Sequence, residues 1–286
     1  METYNDIYLR VRKKLRAAGI EASEFEAKLI VANCAERTRE DMLAMGKVYA
    51  TDSRINERIE KSLERRLTGE PLAYVLGEWE FYSIPLKVTK DVLIPRTDTE
   101  VLAGEVINIL KRKPWQTRLL DLCAGSGCVG LAVAANVSDC RVVMGDSSEQ
   151  ALSICRANMI KNNLSRNITV IEIDVLNSPQ SLLGAFDVIS CNPPYIPTGD
   201  IEKLDSSVKD FEPIEALDGG ADGLKFFRAI IDNWVKRLKP GGYFAFECGI
   251  DQASALRYLM MKAGFADIQT YKDTANIERV VTGSIK

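Results

Sequence analysis

Residues 187–197 read DVISCNPPYIP, an apolar run that ends in an amide, two prolines and a tyrosine. Prolines cannot donate to a strand ladder and commonly stand just outside one, so a plain turn explains the prolines. It requires neither the amide of Asn192 nor the ring of Tyr195. An amide that accepts and donates, held rigid by Pro193 and Pro194 beside an aromatic face, also suits capture of a planar N–H-bearing group. Residues 192–195 are therefore either a candidate catalytic site or a strand end at which Asn192 caps a turn.

A second candidate is the glycine-rich turn CAGSGCVG at residues 123–130. Its last six residues match G-x-G-x-x-G, and Asp146 closes the next predicted strand at the spacing of a ribose-binding acid. Glycines let the backbone approach a ligand and let a helix begin tightly against the strand. The turn predicts a nucleotide or nucleoside cofactor, bound in part by residues Cys123, Ala124, Gly125, Ser126 and Gly127.

The two cofactor classes that share this turn are dinucleotides and S-adenosylmethionine, and three features favour the second. Asp121 ends the preceding strand, where a carboxylate can face a sulfonium or amino group but would repel a pyrophosphate. Asp174 ends the third strand and can accept from an adenine amino group. Residues 238–242, LKPGG, supply a turn before a further strand. Each feature alone is weak, since an aspartate after a strand is commonly a turn or helix cap.

Composition excludes several kinds of chemistry. The 286 residues contain no histidine, which removes the commonest general base, the Ser-His and Cys-His pairs and the commonest metal ligand. The formal net charge of -3 predicts no general electrostatic binding to nucleic acid. Seven cysteines without a CxxC pair, and with no signal peptide before them, indicate reduced and mostly buried thiols in a cytoplasmic protein with no membrane span. Among them, Cys128 falls in the first turn of a helix and is expected to pack rather than react.

The apolar pattern changes its period along the chain. Up to about Gly69 it is helical, with Tyr4, Ile7 and Val11 on one face and a third, short helix expected after Thr38 around residues 42 and 43. Residues 74–94 alternate in short stretches, which predicts a hairpin-like connector. Strand candidates at 118–122, 141–144, 168–173, 186–191 and 243–247 then alternate with helical segments. This order predicts a doubly wound α/β sheet with ligands beyond the carboxyl ends of its strands.

The motifs DLCAGSG, VVMGD and NPPY together resemble the class I S-adenosylmethionine-dependent methyltransferases that modify a planar amino or amide nitrogen. GEPLAYVLGEWEFY (69–82), LIPRTDTEVL (93–102) and EPIEALDGGADGL (212–224) further resemble the flanking motifs of the release factor glutamine methyltransferases, the HemK/PrmC family. The resemblance covers nearly the whole chain and is weakest over 1–68. It implies a Rossmann-like catalytic domain at 96–286, a hairpin linker at 74–95 and a small all-α substrate-docking domain at 1–73.

The resemblance also implies the reaction. In that family the glutamine of the Gly-Gly-Gln loop of a class I peptide chain release factor is methylated on its amide nitrogen. Asn192 and the carbonyl of Pro193 would accept the two amide hydrogens, Pro194 would stiffen the backbone, and Tyr195 would wall the pocket. Asp146 would contact the ribose, Asp174 with Val175 the adenine, and Asn192 the cofactor as well as the substrate. We expect a monomer that binds no nucleic acid.

Three residues depart from the family pattern, and rival activities stay open. Thr97 replaces the proline often seen in the arginine-containing segment, which leaves the role of Arg96 open. Cys123 stands where many relatives have glycine, which is tolerable if that position does not need a positive φ. Val175 stands where some relatives have an aromatic residue. The rivals are a methyltransferase acting on a ribosomal-protein glutamine, one acting on an exocyclic amino group of DNA or RNA, and a module that binds S-adenosylmethionine or a dinucleotide without turnover.

Overall fold

A computed structural model describes residues 2–38, 41, 44, 46–50 and 52–286. The chain divides into two compact units, one formed by residues 1–78 with 206–211 and the other by residues 79–205 with 212–286. Within the described part of the chain, every helix is too short or too polar to span a lipid bilayer.

The smaller unit is helical because its apolar residues recur on one face of each helix. Its main helices are α1 (Tyr4–Ala17), α2 (Ser23–Ala35), α3 (Ser53–Leu67) and α4 (Leu72–Leu76). Thr3 and Asp6 form a capping box at the start of α1, and Gly19 ends the first helical segment with a φ of 80°. The predicted face of α1 is buried, as are Ile59 and Leu63 of α3. The short helix predicted around residues 42 and 43 lies outside the described residues.

A separate hairpin spans residues 78–87, of which all but the first belong to the larger unit, and confirms the predicted hairpin. Its strands are β1 (Glu78–Phe81) and β2 (Ile84–Lys87), shorter than the stretch that alternates in sequence. The two turn residues, Tyr82 and Ser83, have φ values of 50° and 61°, as a type I′ turn requires. The Glu100 carboxylate accepts from the Tyr82 backbone N–H at 2.8 Å and holds this turn.

A seven-stranded sheet forms the larger unit and confirms the doubly wound architecture. The strands are β3 (Thr117–Leu122), β4 (Cys140–Asp146), β5 (Ile168–Glu172), β6 (Phe186–Cys191), β7 (Leu238–Glu247), β8 (Ala266–Lys272) and β9 (Glu278–Ser284). They lie in the order β5-β4-β3-β6-β7-β9-β8, with β3 to β7 parallel and β9 antiparallel to both of its neighbours. The helices of this unit are α5 (Thr99–Lys111), α6 (Cys128–Asn136), α7 (Glu149–Lys161), α9 (Lys225–Trp234) and α10 (Ala253–Lys262), while α8 (Ser206–Lys209) belongs to the smaller unit.

The structure differs from the predicted elements in two places. The expected turn at 238–242 lies inside β7, where pairing with β6 jumps from Leu238 opposite Phe186 to Tyr243 opposite Val188. The extra residues form an irregularity in the ladder, with Gly241 at a φ of 69°. Strands β8 and β9 were not predicted, and the half-exposed side chains of β8 explain why its apolar signal is weak.

Candidate functional site

The site lies where the direction of winding reverses. From β3 the chain winds outward through β4 and β5, whereas β6 and β7 lie on its other side, so the crevice opens between β3 and β6. Leu122 pairs with Cys191 in these parallel strands, so Cys123 and Asn192 leave the sheet side by side. A cavity of about 920 Å³ lies there, and both residues line it.

The glycine turn is held by the acid predicted to bind ribose. Asp146 accepts from the backbone N–H of Gly125 at 2.8 Å through one oxygen and from that of Ser148 at 3.0 Å through the other. Burial raises the pKa of Asp146. Gly125 and Gly127 have φ values of 54° and 82°, which glycine adopts at little cost. The Asp146 carboxylate thus fixes the turn while still facing the cavity.

Asp121 lies beneath this turn with only 2% of its surface exposed. Its two carboxylate oxygens accept from the Ser190 hydroxyl at 2.7 Å and from the Gly130 backbone N–H at 2.9 Å. Burial raises the pKa of Asp121 to about 7, although both hydrogen bonds lower it. The carboxyl group borders the cavity, but both of its oxygens are already engaged within the protein.

The two cysteines of the turn behave differently. Cys123 has a φ of 54°, so this position does need the left-handed conformation, and the condition for tolerating cysteine there without strain is not met. Cys128 begins α6. Burial, and then the nearby Asp121 charge, raise the pKa of its thiol to about 12, which keeps it protonated and agrees with a packing role.

The far end of the cavity holds the residues expected at the adenine. Asp174 is exposed and accepts from the Leu176 backbone N–H at 2.9 Å and from the Asn177 side-chain amide at 2.8 Å. Val175 is buried, and both residues line the cavity. This end therefore offers a small apolar surface beside a carboxylate with free lone pairs.

Asn192 and Pro194 line the same cavity, whereas Pro193 and Tyr195 are not among its lining residues. Asn192 is half-buried, and its side-chain nitrogen donates to Thr99 Oγ1 at 3.3 Å. Tyr195 points its hydroxyl at Glu247 Oε1, 3.4 Å away. Burial raises the pKa of the Tyr195 phenol well above its ordinary value, so the hydroxyl remains a donor.

The backbone of the tetrapeptide is braced by the segment 212–224. Ile196 donates to Leu217 and accepts from Gly219 through backbone hydrogen bonds of 3.0 and 2.8 Å. A Cβ on Gly219 would lie 2.7 Å from the Tyr195 Cα, so only glycine fits there. The Gln252 side-chain amide donates to the Tyr195 carbonyl at 2.8 Å. Close approach of the tetrapeptide backbone thus explains the glycine at position 219.

Two of the motifs noted in the sequence meet at Arg96 and Glu212. The Arg96 guanidinium forms an ion pair with the Glu212 carboxylate, which also accepts from the Ile94 backbone N–H at 3.3 Å. Only 1% of the Glu212 side chain is exposed, so it needs these partners. The pair joins the segments 93–102 and 212–224 at the rim of the cavity, which Arg96 lines.

Three polar residues of the site were not singled out from the sequence: Thr99, Ser190 and Glu247. Glu247 ends β7, and an acid at the end of a parallel strand is the signal that identified Asp146. Thr99 and Ser190 carry no such signal, because their roles depend on partners distant in sequence.

The charged residues that line the cavity distinguish between the two cofactor classes, S-adenosylmethionine and a dinucleotide. Its lining contains seven carboxylate side chains against three cationic ones. Such a surface attracts the sulfonium and ammonium groups of S-adenosylmethionine and opposes a pyrophosphate. Gly125 lines the cavity and would meet no heavy atom within 4 Å if it carried a Cβ, so its backbone is open to a ligand. The residues present therefore fit S-adenosylmethionine better than a dinucleotide.

Solved structures share this architecture. The catalytic domain of hMettl16 aligns with a TM-score of 0.56 and 17% identity over 81% of this chain and 82% of that one. A human methyltransferase 10 domain containing protein aligns with a TM-score of 0.51 and 16% identity over 72% of this chain and 91% of that one. At such identities the likeness shows the fold alone. The fold, together with a match of residues 100–205 to the methyltransferase small domain, defines a class I methyltransferase.

Sequence relatives narrow this class. Residues 6–77 match the PrmC N-terminal domain. The release factor glutamine methyltransferase of Thermodesulfovibrio yellowstonii is 41% identical over 78% of this chain and 79% of its own length. The enzyme of the same name from Caulobacter vibrioides is 35% identical over 95% of this chain and 93% of its own. The chain belongs to the release factor glutamine methyltransferase family, which confirms the resemblance drawn from the motifs.

Proposed function

We propose that this protein methylates the side-chain amide nitrogen of the glutamine in the Gly-Gly-Gln loop of class I peptide chain release factors, with S-adenosylmethionine as methyl donor. The observation that carries the proposal is the pairing of Leu122 with Cys191, from which the glycine turn and Asn192 enter one acidic cavity. A cofactor on the turn and an amide at Asn192 would then be neighbours.

The chemistry of an amide explains why these residues suffice. An amide nitrogen is a poor nucleophile because its lone pair is delocalised, and its proton is too weakly acidic for removal at neutral pH. Two fixed acceptors, Asn192 Oδ1 and the Pro193 carbonyl, would orient the nitrogen and stabilise the positive charge that develops on it. The proton can leave afterwards, so the absence of histidine from the chain is no obstacle.

The turn 123–127 and three acidic residues would bind the cofactor. Asp121 borders the cavity near the turn, Asp146 would contact the ribose hydroxyls, and Asp174 with Val175 would receive the adenine. When bound, S-adenosylmethionine supplies an electrophilic methyl group on a positively charged sulfur. The protein's part is to hold the acceptors rigid and to exclude competing anions by its own negative charge.

We further propose that the helical region 1–73 binds the body of the release factor, that 74–95 links it to the catalytic region 96–286, and that the enzyme acts as a monomer in the cytoplasm. The match to the PrmC N-terminal domain supports the first point, and the seven free cysteines fit a reducing compartment. Exposed apolar side chains such as Val48 and Tyr49 offer contact area in the helical unit. Replacing both with serine should raise the KM for intact release factor but not for a short loop peptide.

Peptide mass spectrometry tests the proposed reaction. Release factor is incubated with the protein and S-adenosylmethionine beside a release factor whose loop glutamine is changed to alanine. We expect one methyl group on the glutamine peptide of the first factor and none on the second. An unmodified glutamine peptide, with a methyl group instead on ribosomal protein or nucleic acid tested in parallel, would overturn the assignment of substrate.

A further inference from the structure

Asn158 of α7 is a fully buried polar residue that the proposed reaction does not use. Its side-chain amide makes three hydrogen bonds to the backbone of two segments that are distant in sequence. Oδ1 accepts from the Lys87 N–H at 2.6 Å, and Nδ2 donates to the Lys87 carbonyl at 2.9 Å. Nδ2 also donates to the Ser126 carbonyl at 2.9 Å. Asn158 therefore joins the end of the hairpin strand β2 to the glycine turn.

On the hairpin side, the contact with Lys87 resembles the pairing of two strands. Lys87 is the last residue of β2, and an asparagine amide presents an acceptor and a donor side by side, as the backbone of a neighbouring strand does. One side chain thus satisfies both backbone groups of Lys87. Three residues further on the chain reaches the segment 90–96, most of which lines the cavity. The position of Lys87 therefore fixes where this wall of the cavity begins.

On the side of the turn, the Ser126 carbonyl obtains its hydrogen bond from Asn158. Ser126 is 2% exposed and lines the cavity. A regular helix would bring the N–H of residue 130 to this carbonyl, but the Gly130 N–H donates to Asp121 instead, at 2.9 Å. Asn158 takes the place of that donor. Without it a buried acceptor in the middle of the turn would lose its partner, which is costly.

We infer that Asn158 is a positioning residue that holds the glycine turn and the cavity wall at 90–96 together, so that S-adenosylmethionine bound on the turn also orders this wall. Asn158 is not among the residues that line the cavity, so it acts through the backbone on each side. The hairpin should then respond to a cofactor that it does not touch. This response rests on the proposed function, whereas the joining of turn and hairpin does not.

Asn162 provides a matched control on the same helix. Its Nδ2 donates to the Pro85 carbonyl at 3.1 Å and to the Asn158 carbonyl at 3.0 Å. The first bond reaches the same hairpin, and neither involves the glycine turn. Asn162→Ala therefore removes a contact with the hairpin alone, whereas Asn158→Ala removes the contacts with both segments.

Amide hydrogen exchange followed by NMR tests the joining without any ligand. The exchange rates of the Lys87 and Gly127 N–H groups are divided by that of Phe246, which is fully buried in β7, so that a general loss of stability cancels. In Asn158→Ala both relative rates should rise about tenfold, as the loss of a hydrogen bond predicts. In Asn162→Ala the relative rate of Gly127 should stay within about twofold of the wild type. An unchanged Gly127 rate in Asn158→Ala would overturn the inference.

Exchange with saturating S-adenosylmethionine tests the response of the wall, first in the wild type, where no variant has to fold. The Lys87 N–H should exchange about fivefold more slowly with the cofactor, whereas the N–H of Gln269 in the outermost strand β8 should not change. The response of Lys87 should vanish in Asn158→Ala and persist in Asn162→Ala. If the wild type methylates release factor but Lys87 does not respond, the inference is overturned while the proposed function stands. If Lys87 responds as expected but release factor stays unmethylated, the substrate is wrong and the positioning role stands.

Discussion

Ser190 Oγ donates a 2.7 Å hydrogen bond to Asp121 Oδ1 and so joins the carboxyl ends of β6 and β3 beneath the cavity. The other oxygen of Asp121 accepts from Gly130 in the first turns of α6. One buried carboxyl group thereby fixes two strands and a helix that all border the proposed cofactor site. Burying this carboxyl group disfavours its charged form, so the pKa of Asp121 rises to about 7.

Asp121 should make the protein less stable as the pH rises toward 7. In the unfolded chain this carboxyl has a pKa near 3.8, and in the folded protein near 7, so between these values the folded state holds a proton that the unfolded state has released. The free energy of unfolding therefore falls as pH rises through this window and levels off above it. Asparagine can keep both hydrogen bonds, with its oxygen toward Gly130 and its nitrogen toward Ser190.

We expect Asp121→Asn to reduce the loss of unfolding free energy between pH 5 and pH 8 by about 2 kcal/mol. Urea unfolding at the two pH values measures it. Glu247, whose pKa also lies at about 7, should keep part of the pH dependence in this variant. Equal losses in variant and wild type would mean that Asp121 is ionised throughout this range in the folded protein.

Cys123 should be a source of backbone strain. Its φ of 54° costs a residue with a Cβ about 1–2 kcal/mol, and glycine little. Cys123→Gly should therefore raise the free energy of unfolding by about 1 kcal/mol, once the greater freedom of glycine in the unfolded chain is included. Cys123→Ala, which retains the Cβ, is the control and should give no gain. A gain of the same size in both variants would point to the thiol rather than the backbone.

The elements around the site could be predicted because their signals are local. Strand β6 has the predicted bounds, and the acids in the last two positions of β3 and β4 were found from their place in apolar runs. The glycine turn was recognised, but not the positive φ of Cys123 within it, because a cysteine gives no sign of that conformation. The local sequence pattern thus predicts which residues follow the strand ends, but it does not predict their backbone angles.

The rest of the site depends on contacts between distant segments. Thr99 and Asn192 are 93 residues apart, and Arg96 and Glu212 are 116 apart. No periodicity relates such pairs, so their contact follows only from the packing of the whole sheet. The same holds for β9, which pairs with β7 across most of the C-terminal region.

A buried ion pair should contribute to the stability of the helical unit. Arg66 of α3 binds Glu26 of α2 through two hydrogen bonds of 2.7 and 3.0 Å, with 18% and 10% of their side chains exposed. Removing one partner leaves a poorly solvated charge, so Glu26→Ala should cost about 2 kcal/mol in thermal or urea unfolding. The control is Glu24→Ala, whose pair with Lys28 is solvent-exposed and should matter little. Similar losses in both variants would contradict a special role for the buried pair.

The two glycines of the turn should have different roles: Gly125 in binding S-adenosylmethionine and Gly127 in the stability of the fold. A Cβ on Gly125 would point into open space beside the cavity, whereas one on Gly127 would lie 2.9 Å from Cys155 Sγ. Gly127→Ala should therefore cost about 2 kcal/mol or more of stability, from the left-handed backbone and the clash together. Gly125→Ala should cost less stability but weaken S-adenosylmethionine binding measured by calorimetry. Equal binding by Gly125→Ala and wild type would place the cofactor away from the turn.

Asn192 should matter far more for methyl transfer than for cofactor binding. It lines the cavity at the end of β6, and its loss removes one positioned acceptor for the substrate amide. For Asn192→Ala we expect kcat on release factor to fall about 10²-fold, as for other electrostatic catalytic contacts, with the Kd for S-adenosylmethionine within about threefold. The control is Asn136→Ala, whose side-chain amide donates to the Ala132 carbonyl within α6 at 2.9 Å. If both variants methylate at the same rate, the acceptor for the glutamine amide must be sought elsewhere in the cavity. If Asn192→Ala instead loses cofactor affinity, Asn192 belongs to the cofactor site alone.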